Sequence, residues 1–467
     1  MKQTLLALTL LLALNAGAGT YLTGTPATTN NDDSCDVAVL PAATLLLPYF
    51  EVDVDLPQSV ARTTLFTVVN TTRFPQIAHV TIWTDWAYPV LDFNLFLTGY
   101  DVQAINLYDI IGGPSVIAPP RGTDIGTQPG ERSLPNTDNP NFAASVAINC
   151  QDLPGVFPAS IAQDVRRALT VGTSSSCAQR VGSIHSLSGN SPAIGYVTID
   201  LINTCSVTLP TDEKYYNELL YDNALTGDYQ NISPNSATGN YAGGNPLVHI
   251  RAVPEGGAAG VVVPTTLPYT FYDRYTPRTS VDSRSMDRRQ PLPAVFSSRF
   301  IEGGRGGFNA NLRIWREGVL AGNVACAAYA SNAAVAMKVT DLVRFDEHEN
   351  ATTLAGSVNP FPPPTVVLPA TSSSPSSSPL FPLLSNAAGD VAGWLYLNLN
   401  NAGSAAYSAK RFTGMRPSQN WVTTSMSAEG RYEVLFDALM LANGCSTAPA
   451  ITNGNSNPIG PGANVTP

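Results

Sequence analysis

The stretch Thr63–Ile111, TTLFTVVNTTRFPQIAHVTIWTDWAYPVLDFNLFLTGYDVQAINLYDII, decides the fold class. It reads as four short strands separated by turns. In the third, Leu91, Phe93, Leu95 and Leu97 fall on one face, and Asp92 and Asn94 on the other. That period of two is what a sheet buried on one side demands. The stretch therefore predicts an all-β chain built as an antiparallel β-sandwich, and it assigns no reaction.

Outward from this stretch the same alternation returns. In residues 51–56, Val52, Val54 and Leu56 point one way and Glu51, Asp53 and Asp55 the other. In GYVTIDL, residues 195–201, Val197, Ile199 and Leu201 oppose Thr198 and Asp200. Further strands are expected at 247–252, 261–263, 294–300, 309–316, 335–344, 393–399 and 431–441. One short helix is expected at 159–169, where Ile161, Val165, Ala168 and Leu169 share a face. The patterns of 195–201 and 393–399, glycine then aromatic then alternating apolar residues, are read as two converged core strands rather than a duplication.

The composition agrees. Only 13% of residues are charged, and 37 Gly and 37 Pro punctuate the 467-residue chain. Many short strands joined by turns fit this profile, and long helices do not. The formal charge is −10 with dispersed bases, so a nucleic-acid partner is not expected.

The N-terminus reads as an export signal. Lys2 precedes an apolar core, Leu5–Leu14, and Ala16-Gly17-Ala18 supplies small residues for cleavage. No later segment predicts an integral membrane span. The expected organisation is a signal peptide at 1–18, a flexible segment at 19–34, an immunoglobulin-like β region at 35–111 and a long loop at 112–140. A second β-sandwich region at 141–445 follows, with a Ser/Pro-rich loop at 369–379, and the tail 446–467 is expected to be disordered. The predicted location is secreted: periplasmic, cell-surface or extracellular.

Six cysteines, Cys35, Cys150, Cys177, Cys205, Cys326 and Cys445, suit an exported disulfide protein. No C-x-x-C pair is present. The preferred pairing is Cys150–Cys177, Cys326–Cys445 and Cys35–Cys205, with Cys177–Cys205 the main competitor. Each bridge would stabilise by about 2–4 kcal/mol.

Three clusters could bind something. Glu51, Asp53 and Asp55 repeat at about 6.6–6.8 Å along one strand face. Ca2+ takes oxygen ligands at about 2.3–2.6 Å, so a Ca2+ site there would need help from a loop residue such as Asp85. A charged face that discourages edge pairing explains the pattern more simply. The loop Thr84-Asp85-Trp86-Ala87-Tyr88-Pro89 offers Trp86 and Tyr88 as stacking platforms for a sugar; rings folded back over the sandwich end are the plainer reading. An Arg-rich region at 269–316, including Arg274, Arg278, Arg288 and Arg289, could fork onto an acidic glycan or a cell-envelope component. Pairing with Asp273, Asp282, Asp287, Glu302 and Glu317 is the plainer reading there too. The sequence GGRGG at 303–307 lacks the phosphate-loop spacing and reads as a hairpin turn. His79 and His249 lie in strand patterns and read as structural. There is no G-x-S-x-G and no H-E-x-x-H, so no catalytic residue is assigned and no cofactor other than Ca2+ is suggested.

LPYFEVD at 47–53, TTLFTVVN at 63–70, WTDW at 83–86, GYVTID at 195–200, GDY at 227–229, LVHIR at 247–251 and RQPLP at 289–293 carry a resemblance. They resemble a group of uncharacterised secreted bacterial proteins from Gram-negative lineages of large genome, along most of the mature chain. The opening stretch alone also looks like bacterial immunoglobulin-like modules. The resemblance implies export and β-rich folding and transfers no catalytic residue. The sequence expectation is a non-enzymatic surface or extracellular-matrix protein acting in adhesion, assembly or ligand binding, with self-association among the partners considered. The alternatives are a glycan- or envelope-polymer-binding module and, third, a secreted hydrolase.

Overall fold

The computed structural model describes residues 37, 39–112, 159–184, 192–203, 208–210, 215, 218–220, 222–233, 241–251, 292–293, 295–301, 308–316, 341–353, 365–369, 392–399, 420–428, 432–442, 451–452 and 458–459. The structure is mostly antiparallel β-sheet. The strands of the first half are β1 (Thr44–Asp53), β2 (Thr63–Asn70), β3 (Gln76–Thr84), β4 (Pro89–Leu97), β5 (Val102–Asn106), β6 (Pro192–Ile202), β7 (Leu225–Thr226), β8 (Asp228–Ser233), β9 (Tyr241–Pro246) and β10 (Val248–Ile250). Those of the second half are β11 (Val295–Ile301), β12 (Phe308–Arg316), β13 (Asp341–Asp346), β14 (Ala351–Thr353), β15 (Thr365–Pro369), β16 (Ala392–Asn398), β17 (Asn420–Ala428), β18 (Tyr432–Asp437) and β19 (Leu439–Ala442).

Each half is a two-sheet sandwich, and the strand orders are the same. In the first, a front sheet runs β10-β1-β6-β3-β4 and a back sheet runs β5-β2-β8-β9, with β7 also paired to β2. In the second, the front sheet runs β19-β11-β16-β13-β14 and the back sheet β15-β12-β17-β18. Setting aside β7, strands one to six and the last three take the same places in both. In each half the final strands change sheets across one residue: Leu247 follows β9, and Ala438 follows β18.

The likeness extends to single residues. Gly195 lies opposite Phe50 and Gly393 opposite Phe300 in the ladders β1–β6 and β11–β16. A Cβ on Gly195 would meet the Trp83 carbonyl oxygen at 2.0 Å and the Phe50 ring at 2.9 Å; one on Gly393 would meet the Phe345 oxygen at 2.1 Å and the Phe300 ring at 2.7 Å. The next residues stack on the neighbouring strand, Tyr196 on Trp83 and Trp394 on Phe345, with interplanar angles of 2° and 9°. The turns that follow β3 and β13 also agree. The Thr84 hydroxyl accepts from the amides of Trp86 and Tyr88, and the Asp346 carboxylate from those of His348 and Asn350. Ala87 and Glu349, at the same turn position, both have positive φ, 61° and 66°. Converged strands do not account for shared order, register and turn together. The chain is a structural repeat, and the sequence expectation of two merely similar strands is corrected.

A second expectation changes with it. Residues 35–111 do not close a sandwich by themselves, because the first repeat takes β6 to β10 from 192–250. Phe50, Phe66, Val68, Val80, Val197 and Ile199 fill its interior. Phe296, Phe300, Leu312, Ile314, Leu395 and Leu397 fill the second. The helix α1 (Ala159–Thr170) forms where its periodicity predicts and buries Ala162, Val165 and Leu169 against the first core, whereas Ile161, expected on that face, is turned outward and 40% exposed. A two-residue ladder, β20 (Ile451–Thr452) with β21 (Pro458–Ile459), lies in the segment expected to be disordered.

Candidate functional site

The outer face of the first front sheet carries a polar row across four strands. Thr44, Asp200, His79 and Asn94 lie opposite one another on β1, β6, β3 and β4. Asp200 accepts from the hydroxyls of Thr44 and Tyr215, and His79 Nδ1 lies 2.8 Å from Asn94 Oδ1. The Tyr215 ring sits 5.5 Å from the imidazole and covers the row. Burial pushes the His79 pKa down to about 4 and that of Asp92, 4.0 Å from its Nε2, up to about 6. His79 and Asp200 are both fully buried. The Tyr215–Asp200 hydrogen bond fastens the covering residue to the sheet, and the His79–Asn94 bond joins β3 to β4 within it.

The acidic strand is neutralised from within. Arg62 forks onto Asp53, with its Nη2 2.8 Å from Oδ1 and its Nε 3.0 Å from Oδ2, and its Nη1 pairs with Glu51. The Tyr49 hydroxyl donates to Glu51 at 2.9 Å. Desolvation by burial lowers the Arg62 pKa, but hydrogen bonding and attraction to the two carboxylates outweigh it and hold the group charged. Asp55 is exposed and stands apart. The described residues contain no cluster of three His, Cys, Asp or Glu able to hold a metal.

The aromatic loop is packed rather than presented. Trp86 is 9% exposed. Its indole Nε1 donates to Ser183 at 3.0 Å, and Arg180 stacks over its ring. Tyr88 is half-buried, with its hydroxyl 3.2 Å from Ser174. The partner segment is 171–184, anchored by Asp164 on Ser174 and by Asp85 on the Ser183 amide. Cys177 within it is disulfide-bonded. The other five cysteines, like Arg274, Arg278, Arg288 and Arg289 and the signal segment 1–18, lie outside the described residues.

A third buried polar group joins the two repeats, and sequence reading did not single it out. Trp315 of β12 meets Tyr196 edge-on at 5.8 Å, and Arg313 lies 4.8 Å over the Tyr49 ring. Trp421 joins the same aromatic cluster, and Leu435 of β18 enters the core of the first repeat. The Asp437 carboxylate accepts from Trp421 Nε1 at 3.1 Å and from the Thr423 hydroxyl at 3.2 Å. Burial raises its pKa to about 6, and burial beside this carboxylate raises the Tyr229 phenol. On both β12 and β17 alternate residues fill the second core, so their other faces are the ones that reach the first repeat. That alternation is legible in the sequence; its partner is not.

An open groove of about 200 Å3 crosses the outer face of the first back sheet, between Leu65 and Thr67 of β2, Ala104 and Asn106 of β5, and Asp228 and Gln230 of β8. It lies among flat strand residues and holds no pair of catalytic groups.

Comparison with known proteins adds little. No family model matches the chain, and no curated protein does. One solved structure, of a Parabacteroides distasonis ATCC 8503 protein provisionally named as secreted, aligns over 87% of this chain and 97% of its own. Identity is 8% and the TM-score 0.15, a similarity too low to bear on fold or function. Among the described residues, no helix is long and apolar enough to cross a membrane, which says nothing of a β-barrel.

Proposed function

We propose that the chain is an exported, non-enzymatic surface or extracellular-matrix protein that acts in adhesion, assembly or ligand binding. The observation that carries this reading is the contrast between its sealed and open surfaces. The polar groups at His79 and Asp437 are buried and tied to neighbouring side chains, and the partly exposed Arg62 is held by Glu51 and Asp53, whereas the open groove is shallow and lined by strand residues. Export is supported by the Lys2–Ala18 signal pattern and by the disulfide at Cys177. A glycan-binding role for Trp86 and Tyr88 draws less support, because both rings are engaged by segment 171–184.

The test expresses the chain with its own N-terminus in a Gram-negative host, followed by fractionation and N-terminal sequencing. The expected product begins near residue 19, lies outside the cytoplasm and resists thiol alkylation until reduced. An uncleaved cytoplasmic product with reactive thiols would overturn the reading.

A further inference from the structure

The two repeats place equivalent strands on equivalent faces, yet only one pair of those faces is joined. The outer face of the second back sheet sits on the β1–β9 side of the first repeat, through Trp315 on Tyr196, Arg313 on Tyr49 and Leu435 in the first core. This contact puts one kind of face against a different kind of face. It therefore leaves one of each unused. The unused donor is the outer face of the first back sheet, and the unused acceptor is the β11–β18–β19 side of the second repeat. A head-to-tail contact of this type continues from chain to chain unless its rotation closes a ring.

Both unused surfaces have the character of an interface. On the donor, Val102 is 54% exposed beside the Leu65–Ala104 groove. On the acceptor, Val434, Leu439 and Met440 are 44%, 71% and 37% exposed, on the strands equivalent to those covered in the first repeat. The stacked Phe345–Trp394 pair, equivalent to the Trp83–Tyr196 pair that receives Trp315, is only half-buried. The charges are opposite in sign, with Asp228 exposed on the donor and Arg299 exposed on the acceptor. Exposed apolar side chains gathered on one side of a domain mark an interaction surface.

We propose that a second copy of this chain fills the acceptor: the first back sheet of one molecule seats on the β11–β18–β19 side of the next, repeating between chains the contact made within each. The proposal deepens the assembly reading and rests on it. The two fail separately, since an exported chain that stays monomeric overturns only this step, and an assembling chain retained in the cytoplasm overturns only export.

The experiment is sedimentation velocity of the purified mature chain over a wide concentration range, with Ala104→Glu on the donor and Leu439→Glu on the acceptor. The wild-type mass should rise with concentration through dimer to larger species. Each variant alone should stay monomeric, its association weakened about a hundredfold by a charge that must be buried unpaired. Mixed, the two variants should form a 1:1 dimer and stop there, because one intact donor and one intact acceptor remain. A wild type monomeric at every concentration, association untouched by either substitution, or a mixture that stays monomeric would each overturn the proposal. Circular dichroism checks the fold of each variant. Should either unfold, Gln230→Arg and Met440→Glu, on the same two surfaces, replace them.

Discussion

Gly195 and Gly393 show how one missing side chain sets the geometry of a sheet. Each lies between a neighbouring carbonyl oxygen and a phenylalanine ring that approach too closely for any Cβ. Gly195→Ala or Gly393→Ala must push backbone or ring aside, and we expect a loss of about 1–3 kcal/mol from each, read as a fall in Tm. The same substitution at the exposed Gly244, where a Cβ meets its nearest atom, in the flexible Gln230 side chain, at 3.1 Å, should cost much less. Asp437 gives a pH dependence with a defined sign. Its folded pKa is raised to about 6 from 3.8, so its contribution to stability is fully present below about pH 4 and lost as pH rises through 6. Asp437→Asn keeps the Oδ1 acceptor for Trp421 and Thr423 and removes the titration. The variant should match the wild type near pH 4 and exceed it by about 1–3 kcal/mol at pH 7.5, measured by calorimetry at the two pH values. An equal difference at both would show that the carboxylate does not titrate as its burial dictates. The alternation of β6 places Asp200 and Thr198 on the outer face, and that much is legible in the residues. That Tyr215 would cover them is not, because the contact spans 15 positions through a segment without a strand pattern.

At the level of elements, the period of two proved the dependable signal. It identified β2 to β6, β12 and β16 because each buries one face in a sandwich core. It was silent on β7, which is too short for alternation to register. On the Glu51–Asp55 face it could not name the neighbour. Three carboxylates at strand spacing invite a cation, yet the cation that came is Arg62, delivered by the chain's return into β2. Adding Ca2+ to the protein should therefore leave Tm unchanged, and a Ca2+-dependent rise in thermal shift would show that Arg62 can be displaced. The aromatic loop has a similar history: Trp86 is held by Ser183 and Arg180, residues nearly a hundred positions away. Trp315 belongs to the same class, since a strand pattern marks it as outward-facing but cannot say that a second sandwich receives it. Trp315→Ala removes the edge contact on Tyr196 and should destabilise by about 3–5 kcal/mol. Because that ring couples the halves, the calorimetric trace should split from one transition into two, and a single transition merely shifted downward would show that the remaining seam suffices.

Across the whole molecule, two sandwiches of the same strand order sit one against the other, and the later half is seated on the earlier. Ten strands of one repeat and nine of the other share so little sequence that GYVTIDL and GWLYLNL are the clearest remnant. Core strands accept many apolar residues of suitable size, so the fold persists while the sequence drifts. On the proposed head-to-tail contact, Trp315→Ala weakens the seam but leaves the two unused surfaces unchanged, so concentration-dependent association should survive wherever the fold does. Local sequence determined what depends on near neighbours: the all-β class, the facing of most strands, the helix Ala159–Thr170 and the export signal as an expectation. Periodicity and composition act over a few residues, and such signals survive in one chain read alone. Tertiary structure alone decided which strands share a sheet, that the chain repeats, and that Trp86, Asp53 and Asp200 are enclosed. Those outcomes turn on contacts between residues tens to hundreds of positions apart, where burial and desolvation act on neighbours the linear order does not display.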